Sequence, residues 1–320
     1  MRDDGHRMGS LTDMEIFARV VTAGSMSAAG REMGLSPAVV SKRIRRLEER
    51  LGARLLQRTT RQIALTEEGQ GFYERVVAIL ASIEEAESFV SRRNSKPRGT
   101  LRISAPTSFG RMHIAPHLGM FLSRYPDLNL SLVLADDFVD IVGEGYDLAI
   151  RIAELENSSL IARRLAPNRR VICATQGYLE RHGVPETLDD LTRHNCLYTM
   201  QQEVWRLEGG DGPISMRVNG NLQTNSSEVV RESLLAGLGI ALRSTWDVGP
   251  QLNDGSLVAV LPEYSSSDRV AVHAVYPSRR FLPVKVRAFI DYLAELYGSE
   301  PYWDRGLNVD EARTRLQQAG

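Results

Sequence analysis

Through the first ninety residues the apolar positions recur three and four apart; from Leu101 onward they gather into short runs. The first spacing is that of amphipathic helices, and the second that of buried strands alternating with helices. Met14, Phe17, Val20 and Val21 mark one helix, with Thr12 or Asp13 as its cap and Gly24 at its end. Ser25 or Ser27 opens a second, which carries Ala28, Ala29 and Met33 before Gly34 turns the chain. Ser36 and Pro37 start a third, the serine as N-cap and the proline in the first turn. Its apolar residues Val40, Ile44, Leu47 and Leu51 predict a single buried stripe, and Gly52 ends it.

Arg54–Leu56 and Ile63–Leu65 then read as two short strands joined by the loop 57–62. Thr66 caps a fourth helix, with Glu67 and Glu68 favourably placed near its N-terminus. Phe72, Val76, Ile79, Ile83, Ala86 and Val90 follow at spacings of 4, 3, 4, 3 and 4, an a/d seam. A helix over 66–94 is about 43 Å long at ~1.5 Å per residue. Its seam either packs on its own domain or pairs with a copy of itself. A helix of this length between two domains has little else to cover it, so Phe72, Val76, Ile79, Ile83 and Val90 are read as dimerisation residues. The polar stretch 91–100, with Pro97 and Gly99, is the clearest domain boundary.

From Leu101 the pattern predicts strands at 101–105, 128–134, 147–152, 160–165, 170–174, 205–207, 214–218, 239–242, 257–261 and 270–276. Between them fall helices at 109–125 (disturbed at Pro116), 138–143, 176–182, 227–236 and 284–297. This is α/β with a mostly parallel sheet, and about 200 residues suffice for two lobes. The tail from Ser299 is polar, and the first ten residues read as an untethered leader in which Met8 offers an alternative start.

Charge sharpens the picture. The whole chain carries a formal −1, yet 36–61 holds eight basic residues against two acidic ones, leaving −7 for the rest. Concentrated positive charge on an otherwise acidic chain marks a local polyanion site. On the third helix the face opposite the apolar stripe holds Ala38, Lys42, Arg45 and Glu49, flanked by Ser41 and Arg46. A solvated charged face is the plain alternative. Small residues at a helix start with cations just behind suit base edges and phosphates. The layout is that of a winged helix-turn-helix, with Ser36, Pro37, Ala38, Ser41, Lys42, Arg45 and Arg46 on the reading helix and Arg58 and Arg61 on the wing. Two cysteines, Cys173 and Cys196, make neither a disulfide framework nor a zinc site. No stretch approaches a membrane span or a signal core, so the expected compartment is the cytosol.

The run from Met14 to Gly69 resembles the DNA-binding domain of LysR-type transcriptional regulators. Phe17, Val20, Gly24-Ser25, Ala28-Ala29, Leu35-Ser36-Pro37, Val40-Ser41, Ile44, Leu47-Glu48, Leu51-Gly52, Leu55, Arg58, Arg61 and Leu65-Thr66 carry the likeness at fixed spacing. Two departures are Leu56, where the family has Phe, and Glu68, where it has a small Ala. The resemblance continues to about residue 298. It implies a winged helix-turn-helix (11–66), a linker and dimerisation helix (67–94), and a two-lobed α/β effector domain of the periplasmic-binding-protein type 2 fold (99–298), followed by a tail (299–320). It also implies promoter DNA, a small-molecule effector, self-association to a homotetramer and RNA polymerase as partners, with no cofactor, metal or membrane.

In such a domain ligands meet strand ends and helix starts that face the interlobe cleft. Thr107, Ser108 and Phe109 open a helix after the first strand, and hydroxyls beside free N–H groups favour a carboxylate or another anion. Plain N-capping is the alternative. Thr224 and Asn225, before Ser226-Ser227, form the matching element of the other lobe. Arg151 ends a strand, where it either balances an anion or pairs with Asp147 or Glu154; Arg243 stands similarly, and Tyr198 with Asn195 flanks a crossover. Cys173 lies in an apolar strand and Cys196 has no cation nearby except His194, so redox sensing is disfavoured. His113 and His117 stand i,i+4, but Pro116 disturbs the turn between them and core or surface roles fit better than metal. An α/β enzyme with a DNA-binding arm would need a phosphate loop or a nucleophile elbow, and the chain has neither. A purely architectural DNA-binding protein would have no use for a two-lobed domain of this size.

Overall fold

The computed structural model describes residues 4–58, 63–90, 96–137, 139–154, 160–200, 202–264, 266–267, 269–277 and 282–307, with the side chains of 4–10, 58, 78, 81–82 and 84–90 excepted. The N-terminal domain is α1 (Asp4–Ala23), α2 (Met26–Met33), α3 (Pro37–Leu51), β1 (Leu56–Arg58) and β2 (Ile63–Leu65), and it leads into α4 (Glu67–Val90). The capping logic of the sequence is realised at α2 and α3. Ser25 Oγ accepts from Ala28 N at 3.0 Å and Ser36 Oγ from Val39 N at 3.3 Å, and Gly34 and Gly52 close the helices in the left-handed conformation.

Four readings of this half are corrected. Helix α1 begins at Asp4, so Thr12 and Asp13 lie inside it and the leader is helical from that point. Asp13 is engaged instead by Arg43 at 3.0 Å and by Arg50 at 3.9 Å. Leu51, the last residue of α3, is 41% exposed and lies outside the stripe of Val40, Ile44 and Leu47. The first wing strand starts two residues later than expected: Leu55 N and Leu56 N both donate to Glu48 Oε1, at 2.9 and 3.2 Å, and pairing with β2 begins only at Leu56. Lastly, Phe72 and Val76 belong to the chain's own domain. Val76 is fully buried in the core with Phe17, Ile44 and Tyr73, and the Phe72 ring lies 5.5 Å from that of Phe17. The opening of α4 thus seals the helix-turn-helix core. Ile79 is 42% exposed and Ile83 half-buried, while the side chain of Val90 lies outside the described residues.

The second domain continues with β3 (Gly99–Ala105), α5 (Thr107–Phe109), α6 (Leu118–Arg124), β4 (Leu128–Leu134), β5 (Leu148–Ala153), β6 (Leu160–Pro167), β7 (Arg170–Thr175), α7 (Gln176–His182) and β8 (Cys196–Leu197). After these come β9 (Val204–Gly209), β10 (Gly212–Arg217), α8 (Ser227–Leu235), β11 (Ile240–Ser244), α9 (Thr245–Asp254), β12 (Leu257–Val260), β13 (Ala271–Pro277) and α10 (Val284–Tyr297). Lobe 1 is built on the sheet β4-β3-β5-β13-β6, and lobe 2 on β12-β7-β11-β8 with the hairpin β9-β10. The chain passes between them twice, after β6 and before β13. At that crossing Ser266 Oγ donates to the Asn168 carbonyl at 3.3 Å.

The sheets are mixed rather than mostly parallel. β3 runs parallel to β4 and β5, but β13 is antiparallel to β5 and β6, and β7 is antiparallel to β11 and β12. Strand direction leaves no mark on a run that is apolar on both faces, which is why the pattern did not separate the two. The short helix expected at 138–143 is a set of turns in the residues described, fixed by Asp140 Oδ1 accepting from Val142 N and Gly143 N. The helix expected at 109–125 is interrupted, widening over Gly110–Ile114 and tightening over Ala115–His117 around Pro116. The described part of the tail, through Leu307, lies against the domain, with Pro301, Trp303 and Asp304 buried.

Candidate functional site

Helix α3 presents its polar side outward. Ser36, Pro37, Ala38, Lys42, Arg45 and Arg46 are exposed and Ser41 is half-buried. Among the described residues Lys42, Arg45 and Arg46 make no ion pair, whereas Arg43 and Arg50 are held by Asp13. Folding therefore sorts the arginines of α3 into those that fasten it to α1 and those that point outward. Glu48, one of the two acidic residues of the basic stretch, is buried and anchors the wing through two backbone bonds. Gly69 lets α4 press against the wing, because a Cβ there would overlap the Leu55 carbonyl. Arg58 closes β1; its side chain and all of Arg61 lie outside the described residues.

The lobes touch just past the two elements expected to face each other. Arg111, one turn past Thr107 and Ser108, donates Nε–H to Glu228 Oε1 at 2.7 Å, and Glu228 follows Ser226-Ser227 in the first turn of α8. At the lobe 1 element Thr107 N donates to Asp136 Oδ1 at 2.8 Å, and Ser108 is buried with its hydroxyl unpartnered. Phe109 is not at the surface of this site. It is fully buried in the lobe 1 core against Trp246, Tyr297 and Trp303, since a helix starting here turns its third residue inward.

On lobe 2, Thr224 Oγ1 accepts from Ser226 N at 3.0 Å, Asn225 is exposed, and Ser226 caps α8. Arg243 is buried and not free: Nε donates to Asp247 Oδ2 at 2.8 Å, and a terminal nitrogen reaches both that oxygen and Ser227 Oγ. Arg170 lies nearby, with its guanidinium donating to the Leu242 carbonyl at 2.9 Å. Burial, with the Arg243 charge adding to it, lowers the Arg170 pKa to about 10. Arg151 is buried, and NH1 donates to the Ile150 carbonyl at 3.3 Å. Its two expected carboxylates are used elsewhere, Asp147 by Lys285 at 3.0 Å and Glu154 by Arg269 at 3.3 Å. Tyr198 packs against the lobe 2 core, and Asn195 splices loops through its side chain, donating to Leu238 O and accepting from Asn221 N.

Arg111, Glu228, Asp247 and Asp136 were not foreseen. Arg243 lies in β11 and Asp247 in α9, so no helical spacing joins them, and Arg111 and Glu228 are 117 positions apart. Both thiols are buried, with pKa values pushed up to about 12 by burial, which keeps them protonated and unreactive. His113 is a core residue. No helix in the described residues is long and apolar enough to cross a membrane.

Residues 11–70 match "Bacterial regulatory helix-turn-helix protein, lysR family", and 94–298 match "LysR substrate binding domain". The chain is 40% identical over 296 residues to the HTH-type transcriptional regulator DmlR of Escherichia coli K12, covering 91% of this chain and 95% of that protein. It is 39% identical over 286 residues to the transcriptional activator TtdR of the same strain, covering 88% and 92%. Among solved structures, CrgA, a LysR-type regulator of Neisseria meningitidis, superposes with a TM-score of 0.58 at 32% identity, over 89% of this chain and 97% of that one. Full-length AphB, the Vibrio cholerae virulence activator, gives 0.55 at 30% over 89% and 98%. With a helix-turn-helix whose third helix exposes its polar side, a two-lobed α/β domain and likeness along nearly its whole length, this chain belongs to the LysR family of transcription regulators, not to an enzyme family.

Proposed function

We propose that the effector of this regulator is a small anionic metabolite bound between the lobes, and that it acts by altering how an oligomer grips promoter DNA. The observation that carries the reading is the guanidinium excess in the lobe 2 wall. The Arg170 guanidinium sits on the Leu242 carbonyl, next in the chain to Arg243, and Arg243 shares the Asp247 carboxylate with Arg231. An anion arriving at that wall relieves the repulsion, whereas a neutral ligand leaves it in place. A second support comes from Thr107. Its N–H already holds a carboxylate, that of the exposed Asp136, which an effector carboxylate can replace. Thr107, Ser108 and Arg151 of lobe 1 with Thr224, Asn225 and Arg243 of lobe 2 are the residues this reading assigns to the effector.

For DNA, Ser36, Ala38, Ser41, Lys42 and Arg45 face the base edges, and Arg46 with the wing arginines Arg58 and Arg61 takes phosphates or the minor groove. Ile79 and Ile83 continue the seam beyond the residues consumed by the core. The exposed Ile79 and the half-buried Ile83 on a long helix support pairing with a second copy, and then a homotetramer acting beside RNA polymerase in the cytoplasm.

The test is a thermal-shift series on the full chain with small mono- and dicarboxylates and their neutral amides. A ligand at about a hundred times its dissociation constant stabilises by about 2.7 kcal/mol. Shifts with carboxylates that disappear in Arg243→Gln support the proposal, and equal shifts with the amides refute it.

A further inference from the structure

We infer that the segment Gly298–Leu307 is a strap that ties lobe 2 to lobe 1 and restricts the swing of one against the other. It lies beyond the matched substrate-binding domain, which ends at 298. Gly298, in the left-handed region at φ 67°, ends α10 and turns the chain back across the domain. Trp303 then enters the lobe 1 aromatic core, its ring 4.6 Å from His113, 5.0 Å from Tyr297 and 5.8 Å from Phe109. The preceding Tyr302 fixes the same wall, its hydroxyl 2.7 Å from His113 Nδ1.

The other side of the segment rests on lobe 2. A Cβ placed on Gly249 of α9 would lie 3.0 Å from the Trp303 carbonyl oxygen and 3.6 Å from the Leu307 side chain, so α9 is bare where the strap crosses it. Asp304, 3% exposed, lies beside Thr245, the first residue of α9, and Arg169 of the crossover. Between these contacts Trp246 of α9 is itself sunk in the lobe 1 cluster. His113 Nε2–H donates to its carbonyl at 2.9 Å, and its indole N–H donates to Asn168 Oδ1 at 2.8 Å. The first turn of α9 is therefore clasped by lobe 1 from one side and by the strap from the other. Lobe motion in a two-lobed domain concentrates its dihedral change in the crossover residues, and the strap lies across that region. The inference concerns the mechanics of the lobes and holds whatever the charge of the effector.

Hydrogen exchange on the full chain tests it. Three variants are compared with wild type: a stop after Gly298, Gly249→Val (which lifts the strap from α9 without removing it) and Arg305→Ala, an exposed position of the strap, as control. Exchange at the crossovers, around Asn168 and over 266–270, is expected to rise at least ~10-fold in the first two, with β3 and β7 unchanged, since local opening is read segment by segment. Unchanged crossovers overturn the inference. So does an equal rise in β3 and β7, which makes the segment an ordinary part of global stability. If the truncated chain does not fold, Gly249→Val alone decides by the same criterion.

Discussion

His113 makes the stability of this chain depend on pH in a range where most histidines do not. Its Nε2–H donates to the Trp246 carbonyl at 2.9 Å, which leaves Nδ1 to accept from the Tyr302 hydroxyl at 2.7 Å. Burial raises the Tyr302 pKa to about 12, so that hydroxyl keeps its proton and remains the donor. A second proton on the imidazole has nowhere to go. Burial, with His117 adding to it, lowers the His113 pKa from 6.5 to about 4. A histidine depressed in the folded state takes its proton more readily when unfolded. The stability it supports is thus fully present above its ordinary pKa and drains away as pH falls toward the folded value. Linkage with those two values gives a loss of about 2 kcal/mol between about pH 7.5 and pH 5, and about 3 kcal/mol once both states are protonated. Urea unfolding followed by tryptophan fluorescence is a suitable assay, because the Trp246 and Trp303 rings lie 5.8 and 4.6 Å from His113. His194 and His273 are also lowered by burial, so the quantity to compare is the pH slope of wild type against that of His113→Gln. The variant should lose about 2 kcal/mol less than wild type over the interval. Equal slopes would refute the reasoning.

Glu48→Ala strands two backbone donors of the wing and should cost ~1.5–3 kcal/mol in thermal or urea unfolding, whereas Glu48→Gln keeps an acceptor and recovers most of it. Arg58→Ala should weaken binding to every DNA sequence and reduce the salt slope of the affinity by about 1, and Lys42→Ala should in addition change sequence preference in gel shifts. If neither effect appears, the assigned DNA face is wrong. Ile79→Asp should shift the assembly toward smaller species in sedimentation, while Val76→Asp should unfold the reader instead, because Val76 lies in its core. The buried Asp304 has its pKa raised by burial, so the fold favours its neutral form. That penalty is absent below the ordinary carboxylate pKa and fully present above the raised one. Asp304→Asn should therefore raise the melting temperature at neutral pH and give no gain under acid conditions.

The helix-turn-helix was legible because its information is local. Ser25, Gly34, Ser36, Pro37 and Gly52 act within a few residues of themselves, and α2 and α3 stand where those residues place them. The seam was half legible. Spacing identified an apolar stripe on α4 but could not tell whether it faces a copy or its own domain, and Phe72 and Val76 took the second course. Strand direction escaped for a similar reason, since β13 is as apolar as the parallel strand β3 and nothing local sets its sense. In the cleft, residue types were found but not their bonds. Arg243 was visible as a cation and Asp247 as an acid four residues on, while the buried pair between them follows from the packing of α9 against β11. The tail was the largest omission. Tyr302 and Trp303 within a polar stretch were the signal, since large aromatic rings are mostly buried.

One residue joins the charge of the proposed site to the mechanics of the lobes. Asp247 neutralises Arg243, and it stands in α9 between Trp246, sunk in lobe 1, and Gly249, beneath the strap. An effector carboxylate that reaches Arg243 competes with Asp247 for the same guanidinium. Depriving a buried ion of its partner costs ~3–5 kcal/mol, so Asp247 cannot simply be left unpaired. Arg231, whose Nε is 3.5 Å from Asp247 Oδ1 and donates to the Asp247 carbonyl at 3.2 Å, is the cation placed to take it over. On the proposed reading, moving the Asp247 carboxylate from Arg243 toward Arg231 would turn the first turn of α9, the part of lobe 2 clasped by lobe 1. On the proposed reading, an anion therefore changes lobe geometry by exchanging the partner of one aspartate. Arg231→Gln should then uncouple the two: carboxylates would still raise the melting temperature, while exchange at the crossovers no longer responded to them. A crossover response that persisted in Arg231→Gln would show that the signal leaves the cleft by another path.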